Sequence, residues 1–450
     1  MNIVLISTYE LGRQPFGLAS PAAWLRQAGA QVLCCDLAIH ALEADVITKA
    51  DLVAFYLPMH TATRIAAPII ERVQRWNPRA HLCCYGLYAP LNEPFLRNLG
   101  VQTILGGEFE TGLVALFHRL QGQEEPVRQL EPPIDLIRQH FQTPDRRDLP
   151  TLDRYAFLDV GDGRPRTVGY TEATRGCKHR CRHCPIVPVY GGHFRIVQRD
   201  VVLADIRNQV AAGAQHITFG DPDFFNGPGH AIPLVQALHA EFPDLTYDVT
   251  IKVEHLLQHT AQLPLLRDTG CLFVTSAVEA VDDQSLRLLD KGHTRADFVA
   301  VVRRLQQIGL TLNPTFVAFN PWISMAGYCD LLQVIGELDL VENVAPIQYA
   351  IRLLITAASR LLELPSIQAL IHPFDDAALV YPWQHPDPQV DQLQQDVIGL
   401  VQRAEKQGQG RQTIFAEVWR LAADAYQEAG GIRLSEPPTR HQRHSHYAPG

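Results

Sequence analysis

Short apolar runs alternate with amphipathic stretches in two successive series along this chain. That alternation leaves few folds open, because strands joined through helices build parallel sheets with helices on their faces. Within the first 120 residues, MNIVLIS, AQVLCCDL, ADLVAFYL, AHLCCYG and VQTILGG read as five strands. PAAWLRQAG, TRIAAPIIERVQRW and NEPFLRNLG read as helices between them, the first and last stopped by Gly29 and Gly100. Ligands of such sheets sit beyond the carboxyl ends of the strands. Ser7, Thr8, Pro58, His60, Gly86, Tyr88, Gly106, Gly107 and Glu108 are therefore expected to line a crevice.

Residues 121–165 shift to QGQEEP, EPPID, TPDRRDLP and GDGRPR, a linker expected to pack on both neighbours. The second series occupies 166–355, with strands expected near TVGYTEATRG, HITFGDP, TYDVTI, CLFVTSAVE, LTLNPTFVAF and VAPIQYAIRLLI. Six β-α units suggest an open, partial barrel whose chemistry lies at the carboxyl ends of its strands. Residues 356–430 are helix-rich, and 431–450 form a polar tail whose His441, His444 and His446 read as solvated rather than metal-binding.

Composition bounds the partners. With 46% hydrophobic and 19% charged residues the chain is a folded soluble one, and its net charge of −9 gives no electrostatic ground for gripping a phosphate backbone. No apolar run reaches transmembrane length, and the opening MNIVLIS reads as a strand rather than a secretion signal. Nine cysteines, an odd number with two adjacent pairs, fit a reducing cytoplasm.

Three of those cysteines stand apart. Cys177, Cys181 and Cys184 form CxxxCxxC within TEATRGCKHRCRHCP, residues 171–185, a spacing that chance would supply roughly 0.004 times in a chain of this composition. Three thiolates on a loop just after a strand can converge on one metal face and leave a position open, whereas a fourth ligand would close it. A zinc loop completed by His179 or His183 is the alternative from another class, a non-catalytic zinc or iron–sulfur sensor. Cys34, Cys35, Cys271 and Cys329 read as core thiols. Cys83 and Cys84 approach the crevice, but nothing outside the triplet has the CxxC spacing of a second cluster.

CxxxCxxC after the first strand of a six-unit partial barrel resembles the radical SAM superfamily, over roughly residues 165–355. The resemblance implies a [4Fe-4S] cluster on Cys177, Cys181 and Cys184, with S-adenosylmethionine (SAM) on the fourth iron. Reduction by a low-potential donor such as flavodoxin or ferredoxin would then yield a 5'-deoxyadenosyl or related radical. It also implies SAM-binding roles for His183 near the adenine and for Gly220, Asp221 and Asp223 of HITFGDPDFFN at the amino group. Lys252 would meet the carboxylate, and Ser276 and Glu279 of TSAVEAVDDQSLRLLDKGHT would complete the site. A turn capped by Asp-Pro-Asp, or surface salt bridges, would account for the same residues structurally. Asn313 and Pro314 lead into a strand end facing the same mouth.

A flavodoxin-like unit over 1–120, placed before such a barrel, resembles the cobalamin-binding radical SAM enzymes. GGEFE at 106–110 and CYGLYA at 84–89 stand where those enzymes carry a Gly-Glu element and a Gly-Gly loop. No DxHxxG supplies an axial histidine, and Tyr85 and Tyr88 would crowd a nucleotide tail that needs close backbone approach. A looser resemblance, carried by CCYGLYAPLN, PTFVAFNPWIS, IQYAIRLLI and YPWQHPDPQVDQLQQDV, is to a radical SAM subgroup with CCAEP or CUAEP tails; the tail here, RLSEPPTRHQRHSHYAPG, has no cysteine. The expectation is an α/β enzyme acting on a small molecule or peptide. Its reaction would be radical alkyl transfer, with methylation favoured if cobalamin binds, and methylthiolation or aminocarboxypropyl transfer the alternatives without it.

Overall fold

The computed structural model describes residues 1–122, 131–161 and 163–434, and the backbone of 448–449. Strands β1 (Asn2–Ser7), β2 (Gln31–Asp36), β3 (Leu52–Tyr56), β4 (His81–Tyr85) and β5 (Thr103–Gly107) pair in the parallel order 2-1-3-4-5 of a flavodoxin-like sheet. The inner strands are apolar on both faces because helices cover both. Val4, Ile6, Val53, Phe55 and Cys84 face one layer, while Ile3, Leu5, Leu52, Ala54 and Cys83 face the other. Cys83 and Cys84 are thus core thiols on opposite faces, both fully buried.

The linker contributes to both sheets. β6 (Ile134–Asp135) extends the first sheet beside β5, and β7 (Phe157–Asp159) runs antiparallel to β8 (Arg166–Thr171) of the second. Between them, Arg146 donates to both Asp205 oxygens at 2.9 Å and to Gln14 Oε1 at 2.7 Å, joining the two units through one guanidinium.

After β8 come a short antiparallel ribbon, β9 (Thr174–Gly176) with β10 (Phe194–Ile196), and then β11 (His216–Phe219), β12 (Thr246–Thr250), β13 (Cys271–Glu279) and β14 (Thr311–Phe316). β8, β11, β12, β13 and β14 are parallel neighbours in chain order. The sixth strand expected near VAPIQYAIRLLI does not form. Pro346–Tyr349 winds into a 3₁₀ turn, where Pro346 has no N–H to offer a ladder, and a single parallel bridge, Phe319 to Arg352, remains. Helices Pro388–Lys406 and Arg411–Glu428 pack Val390, Leu393, Val397, Phe415 and Val418 into the barrel's core. Among the described residues no helix is long and apolar enough to cross a membrane. His441, His444 and His446 lie outside the described residues.

Candidate active site at the barrel mouth

The cysteine loop begins where β9 ends. Gly176 has φ +74°, and a Cβ there would stand 2.3 Å from the Tyr190 ring and 2.6 Å from the His193 carbonyl, so this turn requires glycine. The loop has no regular structure, and several elements fix it instead. Asp221 accepts from the N–H groups of Ala173 (3.0 Å) and Thr174 (2.6 Å). Asn226 accepts from Lys178 N and donates to Gly176 O, both at 3.2 Å. Arg182 N donates to Leu289 O at 2.9 Å, and the Arg360 guanidinium donates to Arg180 O at 2.7 Å. Cys177 and Cys181 are buried and Cys184 is half-buried. Burial pushes the thiols of Cys177 and Cys184 up to about 11 and about 12. The Lys252 ammonium lies 3.7 Å from Cys181 Sγ.

Around this loop the strand ends supply charge. Glu279 ends β13 at φ +72°, an uncommon left-handed conformation for a side chain of this size, and its carboxylate meets His183 Nε2 at 3.1 Å and Lys291 Nζ at 3.4 Å. Burial alone would raise its pKa; the charges of Lys291 and His183 overcome that and hold it at about 2. His293 is buried with neither ring nitrogen hydrogen-bonded, and burial, then Lys291 and Lys252, lower it to about 4. Asp223 meets His255 Nδ1 at 2.6 Å, His255 Nε2 lies 3.2 Å from His179 Nε2, and His179 Nδ1 lies 3.4 Å from Glu254. One donor atom each from His179, Asp223 and His255 falls within 4.8 Å of the others, close enough to share one metal ion.

Several expected SAM contacts are committed elsewhere. Asp221 is consumed by the backbone of Ala173 and Thr174, so it positions the cysteine loop rather than facing a ligand ammonium. Asp223 accepts from Phe225 N and pairs with His255. Gly220 makes room for the Tyr170 hydroxyl, which would stand 1.8 Å from a Cβ. Phe273 and Thr275 line the barrel lumen, so alternation turns Ser276 outward, among Val274 and Val278 beneath the helices. His183, Lys252 and Glu279 do meet at the cysteine loop. Lys291, His293 and His255 were not singled out by the sequence; DKGHT, after the helix that follows β13, carries the first two, and His255 stands three residues beyond Lys252 in IKVEHLL.

The crevice of the first sheet is filled. Tyr56, Tyr85 and Phe109 pack ring on ring at 5.0–5.9 Å, Tyr85 donates to Gly17 O at 2.8 Å, and a Cβ on Gly17 would enter the Tyr56 ring at 2.2 Å. Gly86 has φ +105° and sits against Tyr56 and Leu57 O. Gly106 and Gly107 pair with β6, where a Cβ on Gly107 would stand 2.1 Å from Asp135 O. These glycines make room for the chain itself rather than for a ligand. Thr8 donates to Ala62 O, His60 Nε2 meets Ala378 O, Ser7 is buried, and Tyr88 packs near the His60 ring. Only Pro58 and Gly107 of the expected set line the remaining space, an interdomain cavity of about 230 Å³. Pockets for drug-sized ligands run to about 300–1,000 Å³, and a corrin with its arms is larger than such a ligand. A corrin at this interface would require the surrounding side chains to move apart.

Arg175 of β9 closes the same mouth. It binds Glu110 through two nitrogens at 2.7 and 2.9 Å, Glu172 at 2.7 Å and Glu108 at 3.4 Å, with the rings of Phe16, Phe109 and Phe141 around it at 4.9–5.6 Å. One guanidinium faces three carboxylates. Burial, opposed by Arg175, raises Glu108 to about 7, while Glu110 stays below the usual carboxylate range because Arg175 and Ser20 offset its burial.

Residues 171–320 match the sequence profile of the radical SAM superfamily. Over 328 residues the chain is 23% identical to the hopanoid C-3 methylase of Methylococcus capsulatus, covering 69% of this chain and 62% of that protein. It is 27% identical over 161 residues to the tRNA-2-methylthio-N(6)-dimethylallyladenosine synthase of Herpetosiphon aurantiacus, covering 32% and 35% of the two chains. The fold is shared with the cobalamin-dependent SAM radical enzyme OxsB, solved with aqua-cobalamin and SAM (TM-score 0.69, 12% identity, 97% of this chain and 76% of that one). It is shared also with the radical SAM methyltransferase TsrM of Kitasatospora setae (TM-score 0.59, 16% identity, 75% and 71%). The cysteine loop and the half-barrel that carries it coincide with that match: residues 171–320 carry a radical SAM superfamily domain.

Proposed function

We propose that this protein modifies a small molecule by radical group transfer from SAM at a [4Fe-4S] cluster held by Cys177, Cys181 and Cys184, with cobalamin a possible second cofactor. One observation carries the reading: three thiols share a clamped loop at the barrel mouth, with Lys252 beside one of them, while the other six cysteines lie in strands or helices. The donor set fits a cluster with one iron left open, since thiolates suit iron–sulfur sites and three leave a position free. An unpartnered imidazole, His293, stands at the same mouth as a ready polar contact. When bound, the cluster and SAM supply a one-electron cleavage that yields an organic radical.

The chain's own residues have separate tasks. Lys252 offsets the negative charge of the thiolates. Glu279, kept ionised by Lys291 and His183, offers a carboxylate to a ligand ammonium. Asp221, Asn226 and Arg360 hold the loop in place. The buried thiols must lose their protons before metal can bind, so assembly of the site releases protons. OxsB and TsrM carry cobalamin on this fold, and the relatives include a methylase; alkyl transfer with cobalamin is the reading those names favour, with methylthiolation or aminocarboxypropyl transfer the alternatives without it. A low-potential electron donor, flavodoxin or ferredoxin, is the partner this chemistry needs.

Anaerobic reconstitution with iron and sulfide tests the reading. The expected result is a cluster spectrum that changes on adding SAM, with 5'-deoxyadenosine or S-adenosylhomocysteine formed on reduction, and with absorbance lost in Cys177→Ala, Cys181→Ala and Cys184→Ala. Full cluster absorbance in those variants would refute the ligand assignment. The His179, Asp223 and His255 donors favour a second reading, a zinc protein without catalysis. Stoichiometric zinc with no response to SAM would establish it.

A further inference from the structure

The barrel lumen contains a second cavity, of about 260 Å³, which no expected site residue explains. Its wall includes a preorganised carboxylate. Asp248 on β12 is 6% exposed, and its Oδ1 accepts from Thr218 Oγ1 at 2.6 Å and from His216 Nε2 at 2.9 Å. Because a carboxylate only accepts, Nε2 carries the imidazole proton, and His216 Nδ1 is held in turn by Thr246 Oγ1 at 2.8 Å. Both bonds go to Oδ1, so Oδ2 keeps its acceptor capacity for the cavity. Among the described residues no lysine or arginine lies within ion-pair distance of Asp248. A buried carboxylate without a cation is costly, and such a group is normally matched by one.

Two further groups line the same wall. Asn313 Oδ1 is buried and accepts nothing, a second acceptor awaiting a donor. Arg13 reaches in from the loop after β1 and lies over the Tyr170 ring at 5.3 Å. Leu11, Arg13 and Tyr170 also line the interdomain cavity, whose other wall includes Thr174 and Gly176 next to the cysteine loop. These three residues form the wall that the two cavities share.

We infer that the lumen is the substrate site and that the substrate is a small primary amine of amino-acid size. Its ammonium is held by Asp248 Oδ2 and Asn313 Oδ1, and an acidic or carbonyl group faces Arg13. This deepens the proposed function and rests on it for the chemistry, but not for the binding. A volume of about 260 Å³ sits just below the range of drug-sized pockets; it accommodates an amino acid and excludes a folded protein or an RNA. The Asp248 carboxylate favours a cation over a neutral or anionic group at its own end, because a charge-assisted hydrogen bond to a carboxylate is about twice as strong as a neutral one, while Arg411 lines the cavity as well.

The test is ligand-induced thermal shift on the purified full chain. Each of the common α-amino acids is added singly at millimolar concentration, with its N-acetyl derivative as the matched control. The expected result is that at least one free amine raises the melting temperature, its N-acetyl form does not, and Asp248→Asn weakens the interaction at least ten-fold. Asn313→Leu carries the same test, with several-fold weakening, should Asp248→Asn fail to fold. The site is overturned by the absence of any amine-dependent shift, by equal binding of the N-acetyl forms, or by undiminished binding in the folded variants. Repeating the titration on Cys177→Ala separates the two readings. Amine binding retained there with cluster absorbance lost supports both; amine binding in a protein that never assembles a cluster overturns the radical chemistry and leaves the lumen site standing.

Discussion

The two α/β units present the carboxyl ends of their strands to a common interface and treat that end in opposite ways. In the first sheet the crevice is closed by matched partners: Tyr56 and Tyr85 against Gly17, β6 against Gly106 and Gly107, and Arg175 against Glu108, Glu110 and Glu172. In the barrel, by contrast, His293 and Asn313 hold buried polar atoms without partners, and Asp248 has a free carboxylate oxygen. A buried polar group is normally hydrogen-bonded. Ser7 Oγ and Glu10 Oε1 are buried without partners at the first mouth as well, so the contrast lies in the rings and ion pairs that fill that mouth rather than in hydrogen bonding alone. On the proposed function the two units have different uses, a wall and a reaction chamber.

The comparison breaks most visibly at Arg175. Arg175→Met leaves buried carboxylates without their cation, and loss of one partner from a buried ionic cluster costs about 3–5 kcal/mol. Chemical denaturation should show that loss. A change below about 1 kcal/mol would mean that the closed mouth is not held by this cluster.

Glu10 gives a pH-dependent test of the same wall. Burial, reinforced by Glu172, raises it to about 8, so between about pH 4.5 and 8 the folded chain keeps a proton that the unfolded chain releases. The Glu10 contribution to stability falls as pH rises through that window and is constant below and above it. Glu10→Gln should melt a few degrees higher than the parent at pH 9, with the difference vanishing near pH 4.5. An equal difference at both pH values would show that Glu10 does not titrate as its burial requires.

Two smaller effects sharpen the contrast. His293→Leu replaces an unsatisfied buried imidazole by an apolar group and should be neutral or stabilising by about 1 kcal/mol, while weakening SAM binding measured by equilibrium dialysis. Destabilisation with unchanged SAM affinity would make His293 a structural residue. Hydroxocobalamin, added during refolding and then removed by desalting, tests the crevice directly: one equivalent retained, read from the visible spectrum, makes it a cofactor site, and none retained makes it a wall.

Much of this was legible in the residues. The alternation of apolar runs marked both sheets, and the first five strands fall where their apolar cores stand, because a strand buried on both faces has a distinctive continuous run. The sixth barrel strand was misread, since IQYAIRLLI is apolar enough for a strand while Pro346 just before it starts a 3₁₀ turn. Among the site residues, His183, Lys252 and Glu279 converge on the cysteine loop. Asp221 and Ser276 do not face the mouth, because a carboxylate can serve a backbone as readily as a ligand, and strand alternation turns Ser276 to the helix side with Val274 and Val278.

The sequence by itself determined that this is a two-unit α/β chain with a cysteine triplet after a barrel strand, and that spacing is local, since the three thiols span eight residues. Tertiary structure alone decided that the glycines of the first unit are filled by the chain, that Arg175 locks the two mouths together, and that Asp248 stands without a cation. Those properties depend on residues far apart in sequence meeting at van der Waals or hydrogen-bond distance. No residue type or spacing encodes whether a glycine's empty space will be taken by a ligand or by a neighbouring strand.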